Sequence, residues 1–88
     1  MNIQIPENIT WKNLKSGIVL LNLDSSEYYT LNETASEIWK GIMDNKPFPE
    51  IIKTLAEMYD QPEDVISKDF EEQIQYFISE KLLIEEQK

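Results

Sequence analysis

The side chains of this sequence that could do chemistry are carboxylates, lysines and tyrosines, because histidine and cysteine are both absent. Asp60, Glu63, Asp64 and Asp69 could serve as a general acid and a general base if their environments differed. However, no nucleophile, base and orienting group can be assembled around them, and acids at helix starts are usually solvated caps. We therefore predict that the protein is not an enzyme and has no catalytic residues.

The same acids lack the pattern of a metal site. Zinc usually takes cysteine or histidine ligands, and the sequence has neither an EF-hand loop nor an aspartate–glycine spacing that would indicate calcium. The absence of cysteine also excludes disulfides. We predict no metal and no cofactor.

The charge of the chain argues against nucleic acid as a partner. It has 17 acidic side chains and eight basic ones, all of them lysines, for a net charge of -9. Phosphate backbones need a basic face, and arginine is missing for bidentate contacts. A cationic or mixed-charge partner is electrostatically easier, although a negative surface can also serve solubility alone.

The start of the chain indicates no targeting to a membrane. Residues 1–7 have no basic region and no apolar stretch of signal-peptide length. No apolar run elsewhere approaches transmembrane length. We expect a cytoplasmic protein with no membrane partner.

Three strands that form an antiparallel meander are predicted in the first third of the sequence. β-Branched and aromatic residues dominate Ile9–Leu14, residues 18–23 form an apolar run typical of a central strand, and residues 27–31 form the third strand. Lys15-Ser16-Gly17 and Asp24-Ser25-Ser26 are turn sequences between them.

Helical spacing replaces the strand pattern after Asn32, which is a good N-cap for a helix over Glu33–Met43. A second helix is predicted from Phe48-Pro49 to Tyr59. A third, over residues 63–81, has a core-facing stripe of Ile66, Phe70, Ile74 and Phe77. Residues 82–84 form an apolar tail, and we expect residues 85–88 to fray.

Together these elements predict an α+β fold of the winged-helix-like type, a three-stranded antiparallel sheet followed by three helices, βββααα. Eighty-eight residues suit one core. We predict a single domain over residues 1–88 with an ordered core at about 9–84. Many winged helices bind DNA, but seven acids and one lysine lie between Glu57 and Glu72, a poor surface for phosphates.

The pair Tyr28-Tyr29 must divide between the two faces of the third strand. One ring shares a face with Glu27 and Leu31, and the other shares a face with Thr30. Two interpretations stay open: a ring that packs on the third helix as ordinary core, or one that lines a groove beside an unpaired strand edge. Such an edge is a template for a partner's strand.

The ordered series of these segments resembles the PqqD-like family, also called RiPP precursor peptide recognition elements. The residues that carry the resemblance are Gly17 to Asp24, Glu27 to Asn32, Ile38-Trp39, Pro49 to Ile52 with Leu55 and Tyr59, and Asp69 with Ile74, Phe77 and Leu82-Leu83. The sequence departs from the family pattern at Ser26 and Lys81, where glycine is common.

The resemblance implies a stand-alone, non-enzymatic domain that binds the leader of a ribosomally made precursor peptide, similar to the leader-binding subunits of lasso-peptide systems. It would add the leader as a strand and present it to a separate modifying enzyme or leader peptidase. The implied peptide-binding residues are Tyr28, Tyr29, Thr30 and Leu31 on the strand and Ile66, Asp69, Phe70, Gln73 and Tyr76 on the third helix.

Strand addition of a leader peptide is therefore the leading functional hypothesis, with acids such as Asp69 steering a basic or polar leader residue. The alternative is an acidic winged-helix domain that contacts another protein through its third helix in a regulatory or structural role. Weak DNA binding is a third hypothesis that the charge disfavours. An exposed edge strand can also pair with a second copy, which would give a homodimer that masks the site.

Overall fold

Alternation of apolar and polar side chains builds an antiparallel sheet in the first third of the chain. The computed structural model describes residues 2–86 and has the α+β, winged-helix-like arrangement that the sequence predicts. Its strands are β1 (Asn2–Gln4), β2 (Ile9–Leu14), β3 (Gly17–Asn22), β4 (Tyr28–Thr30) and β5 (Ile84–Glu86). Its helices are α1 (Glu33–Met43), α2 (Phe48–Tyr59) and α3 (Glu63–Ser79).

The main sheet has the order β2-β3-β4 with antiparallel pairing throughout. Leu20 on the central strand pairs with Trp11 of β2 and with Tyr29 of β4. Ile18 and Leu20 are completely buried, because the helices cover that face of the sheet. The predicted meander with an apolar central strand is confirmed.

The turn that joins β2 and β3 requires glycine. Gly17 has a φ of 127°, which L side chains rarely adopt. A Cβ atom at this position would lie 2.7 Å from the backbone oxygen of Leu31. The close approach lets the start of β3 pack against the chain that leaves β4.

The first helix begins as predicted, with the Asn32 side chain accepting a hydrogen bond from the Ala35 N–H at 2.8 Å. The third helix ends at Ser79, two residues earlier than predicted, because Lys81 adopts a left-handed conformation with φ 60°. The Leu82 N–H then donates to the carbonyl of Phe77 at 2.8 Å, which closes the helix in a Schellman motif.

The core lies between the sheet and the three helices. The rings of Trp39 on α1 and Phe77 on α3 meet edge to face with centroids 5.4 Å apart, and both are fully buried. The predicted stripe of α3 is buried throughout. Its members are Ile66, Phe70, Ile74 and Phe77.

A two-stranded sheet of β1 and β5 was not predicted. Asn2 pairs with Glu86 and Gln4 with Ile84, so regular structure extends beyond residues 9–84, and Glu85 lies in a strand where fraying was expected. Three-residue segments have too few side chains to show a period, and each of these strands finds its partner at the far end of the chain. The expectation for residues 87 and 88 lies outside the described part of the chain.

Within residues 2–86, no helix is both long enough and apolar enough to cross a membrane. The same part of the chain contains no group of three or more acidic, histidine or cysteine side chains placed to hold a metal ion.

Candidate functional site

The backbone of the β4 segment alternates between bonding to β3 and pointing away from it. The carbonyl of Glu27 accepts a hydrogen bond from the Asn22 N–H at 2.9 Å, and the Leu31 N–H donates to the Ile18 carbonyl at 2.8 Å. In an antiparallel pair, alternate residues direct their N–H and C=O groups to the same neighbour. The odd-numbered residues of this segment therefore bond to β3.

The even-numbered residues, Tyr28 and Thr30, direct their N–H and C=O groups to the other side of the strand. Because β4 is the last strand in the order β2-β3-β4, that side is an edge of the sheet. Two N–H and two C=O groups thus face outward, in the pattern that a further antiparallel strand would pair with.

The two tyrosine side chains take opposite faces, as predicted. Tyr29 lies opposite Leu20 on the helix-facing side and is half-buried against the core. Tyr28 lies opposite Leu21 and has 71% of its surface exposed. Tyr29 is therefore the tyrosine whose ring faces the helices.

A groove runs between β4, the first turn of α1 and α3. It has a volume of about 410 Å³, and its lining residues are Tyr28, Tyr29, Thr30, Leu31, Asn32, Ala35, Gln73 and Tyr76. The groove thus has three walls beside the open strand edge: β4, the start of α1 and one side of α3. The lining mixes aromatic rings with two amide side chains, so it offers both apolar contact and hydrogen bonds.

The helix wall of the groove is formed by Gln73 and Tyr76. They lie three residues apart and so on one side of α3. Tyr76 is 46% exposed, and its ring lies 6.1 Å from that of Phe77. Asp69, a further predicted residue, is exposed on the same side of the helix one turn before Gln73, but it does not contribute to the lining.

Two other predicted helix residues lie behind the groove in the core. Ile66 and Phe70 keep 6% and 2% of their surface exposed, and neither lines the groove. Phe70 packs edge to face on Phe48 of α2 with centroids 4.9 Å apart. These residues hold α3 against α2 and the core.

Sequence reasoning did not include Asn32 and Ala35 among the groove residues. Asn32 is the predicted N-cap, which is confirmed, and Ala35 is buried on the side of α1 that faces the core. Their position in the chain was the available signal. A helix separated from an edge strand by two residues must place its first turn next to that strand.

A buried hydroxyl holds the end of β4 to β3. The oxygen of Ser36 accepts a hydrogen bond from the Ile18 N–H at 3.0 Å and donates to the Leu31 carbonyl at 3.3 Å. It replaces a direct bond between those backbone groups, and Ser36 is 3% exposed. The α1 helix thereby fixes the strand that forms the groove.

Negative charge lies at the Glu27 end of the groove. Partial burial, followed by the charges of Glu27 and Glu80 and the neighbouring Tyr76, raises the pKa of the Tyr29 hydroxyl. Both carboxylates therefore lie near the ring that faces the groove.

Comparisons with solved structures show a shared fold. The chain is similar to "TbiB1 in Complex with the TbiA(beta) Leader Peptide", with a TM-score of 0.87, 20% identity, and coverage of 97% of this chain and 99% of that chain. It is also similar to "Lasso peptide synthetase B1 complexed with the leader peptide", with a TM-score of 0.88, 20% identity, and coverage of 94% and 98%.

A search of curated proteins found no significant match. The family model described as "Coenzyme PQQ synthesis protein D (PqqD)" matches residues 17–83, which include the main sheet from β3 onward and all three helices. This chain therefore belongs to the PqqD family.

Proposed function

We propose that this protein binds the leader segment of a ribosomally made precursor peptide, which pairs as an added strand with β4. The observation that carries the proposal is the outward direction of the backbone groups of Tyr28 and Thr30 beside the groove. Backbone pairing supplies affinity and pockets for alternate side chains supply selectivity. The two solved structures similar in fold are complexes with leader peptides, which supports this choice of occupant.

The alternation of β4 determines how such a peptide is recognised. Its residues opposite Tyr28 and Thr30 exchange hydrogen bonds with the backbone, and their side chains lie on the outer face of the sheet. The residue between them lies opposite Tyr29, so its side chain enters the groove. There it meets the ring of Tyr76 and the amide groups of Asn32 and Gln73.

The remaining predicted residues act less directly in this proposal. Leu31 is 4% exposed and forms the floor of the groove where β4 ends. Ile66 and Phe70 act by holding α3 in position, since their side chains are buried. Asp69 is exposed and attracts basic leader residues as the peptide approaches.

The protein does no chemistry in this proposal. It raises the effective concentration of the precursor at a separate modifying enzyme or leader peptidase, as two linked binding events do. One of the two structures similar in fold is a lasso peptide synthetase B1 complexed with the leader peptide, which favours that class of pathway. Because the ligand is a ribosomal product, we place the protein in the cytoplasm where the ligand is made.

Pairing with a second copy is a competing state of the same edge. If two β4 strands lie antiparallel and centred on Tyr29, Tyr28 of each copy lies opposite Thr30 of the other, and both direct backbone groups toward the partner. We propose that this homodimer forms weakly, since each copy carries a net charge of -9. Leader peptide would displace it.

An interaction domain that uses α3 alone is the second candidate function. The observation in its favour is the exposure of Val65 and Tyr76 on that helix, at 45% and 46%. Such a domain would bind its partner without engaging the backbone of Thr30.

Titration of the 15N-labelled protein with synthetic leader peptides, encoded by precursor genes beside its own gene, tests the proposal. We expect saturable binding by calorimetry and the largest amide shifts at Tyr28, Thr30 and Gln73. Shifts confined to α2, or no binding by any leader from that neighbourhood, would contradict it. Shifts confined to Val65, Tyr76 and their helix would favour the second candidate.

A further inference from the structure

The Glu27 end of the groove is negatively charged, and a positive charge on the proposed ligand would complement it. Glu27 and Tyr29 lie two residues apart on an extended segment, so their side chains share the helix-facing side. Tyr76 and Glu80 lie four residues apart, on one side of α3 and its C-terminal cap. Each carboxylate therefore lies next along its strand or helix face to a tyrosine that lines the groove, although neither carboxylate is itself part of the lining.

These carboxylates have no cationic partner in the described part of the chain. Within residues 2–86, the one ion pair joins Lys40 and Glu37, both on α1. Glu27 and Glu80 are exposed, and both act on the Tyr29 hydroxyl at this end of the groove. A cation near this hydroxyl would interact with both charges.

The register of strand pairing determines which residue of the ligand lies beside Glu27. We take the added strand as antiparallel, because every pairing in the sheet is antiparallel and this arrangement is slightly more stable per residue. The ligand then runs opposite to β4. The residue across from Glu27 lies two positions after the residue across from Tyr29, on the same face.

We propose that the ligand carries a lysine or arginine two residues C-terminal to the side chain that enters the groove, where it lies between Glu27 and Glu80. This inference rests on the proposed function and extends it to the class of peptide selected. The expected pattern is a groove-filling residue, one residue of any type, and then a basic residue. Cross-strand pairs of opposite charge favour this register, and steering by the negative surface speeds its formation.

A displayed library of random twelve-residue peptides, selected on immobilised protein, tests the inference without a known ligand. We expect Lys or Arg to be enriched at the second position after the groove residue. Changing that residue to glutamine in a selected peptide should weaken binding about three- to tenfold, the range for one or two exposed charge pairs. Raising the salt concentration should reduce the difference.

Variants of the protein assign the effect to these carboxylates. Glu27→Gln combined with Glu80→Gln should abolish the preference for the basic residue while the glutamine peptide binds as before. The matched control is Glu50→Gln, an exposed acid in the first turn of α2 that does not line the groove. It should keep the preference.

The outcomes separate the inference from the function on which it rests. Selected peptides that shift the Thr30 amide but show no basic preference, or show it two residues before the groove residue, would overturn the inference and leave strand addition standing. If no selected peptide shifts the Thr30 amide, the proposed function itself fails.

Discussion

The main sheet has two outer edges, and they differ in what lies beside them. The β2 edge is the longer, with six residues against three for β4, and its residues after Ile9 are exposed. By length alone it is the better template for an added strand. However, the β4 edge adjoins a groove walled by α1 and α3, whereas the concave surface at β2 lies on the outer face of the sheet, beside Lys12, Val19 and Leu21.

The two edges differ in how they are held and in what they face. Both edges offer unpaired backbone groups, but the strand at β4 is fixed to α1 through Ser36 and faces two side chains of α3. A peptide bound there places alternate side chains against a preformed wall. In the proposed binding mode, the second wall would add selectivity to the affinity that backbone pairing supplies.

The largest expected effect concerns the close approach of Gly17 to the backbone of Leu31, which anchors the end of β4. Gly17→Ala should lower the free energy of unfolding by about 3 kcal/mol or more, because the added Cβ meets a backbone oxygen at 2.7 Å and φ is 127°. Gly41→Ala is the comparison. Its Cβ would meet side-chain carbons of the buried Ile51 at 2.8 and 2.9 Å, so it should also lower stability, but by less, because Gly41 has no positive φ and the clash is with a side chain. Urea unfolding measures both. Equal losses would contradict the anchoring role of Gly17.

The bridge between β3 and β4 should be the next most costly to remove. Ser36→Ala leaves the Ile18 N–H and the Leu31 carbonyl without the hydroxyl that joins them, at an expected cost of about 2 kcal/mol. Ser79→Ala, on an exposed serine at the end of α3, should change stability by less than about 0.5 kcal/mol. Chemical denaturation compares them, and a neutral Ser36→Ala would show that β4 is held by other contacts.

A pair of proline substitutions tests the two edges directly. Thr30→Pro removes an outward N–H without breaking the bonds to β3, so the protein should fold and lose at least about tenfold in leader affinity, or about 1.4 kcal/mol. The equivalent position on β2 is Asn13. Because the Leu23 N–H bonds to the Asn8 carbonyl at 2.7 Å, alternation directs the Asn13 N–H outward as well.

Asn13→Pro should therefore leave leader affinity unchanged. Thr30→Val, which keeps the N–H and removes the hydroxyl, separates the backbone effect from that of the side chain. Calorimetry with one leader peptide measures all three variants, and circular dichroism verifies their folding. Equal weakening by Thr30→Pro and Asn13→Pro would remove the distinction between the edges.

The smallest expected effect concerns the turns that lead into the strands. The β2–β3 turn uses Gly17, but the turn before β4 places Ser26 at φ 63°. Ser26→Gly should stabilise the protein by about 0.5–1 kcal/mol, as the strain of a left-handed serine exceeds the entropy cost of glycine. Lys81→Gly, at φ 60°, should act similarly.

Asn45→Gly is the control for these glycine variants. Asn45 has φ 58°, but asparagine tolerates the left-handed region. The substitution should therefore raise the free energy of unfolding by no more than about 0.3 kcal/mol. Thermal unfolding of the three variants ranks them. A loss of stability in Ser26→Gly would mean that the serine side chain stabilises the turn.

Much of the fold followed from local pattern. The apolar run of β3, the Asn32 cap and the stripe of α3 are strong local signals, and each is confirmed. The short sheet of β1 and β5 was not predicted, because its strands are three residues long and pair across nearly the whole chain. Local propensity carries no information about such a partner.

The candidate site was also only partly predictable, because the spacing of residues within one element does not specify what that element packs against. Alternation showed that Tyr28 and Tyr29 divide between faces, but the register with Leu20 was needed to assign each face. On α3, Ile66, Phe70 and Gln73 lie within about 60° of one another around the helix, and the family resemblance assigned all three to the peptide. However, Ile66 and Phe70 are buried in the core and Gln73 lines the groove. Burial depends on the crossing of α3 over α2, which the sequence of one helix does not specify.

The pairing of Asn2 with Glu86 places both ends of the described chain about one strand spacing apart. In a domain arranged in this way, a chain that continued at both ends would enter and leave at neighbouring points. Placed inside a larger enzyme, such a domain would need two short linkers that leave it at neighbouring points. The same geometry makes circular permutation practicable, with the old ends joined and a new opening at the turn after α1.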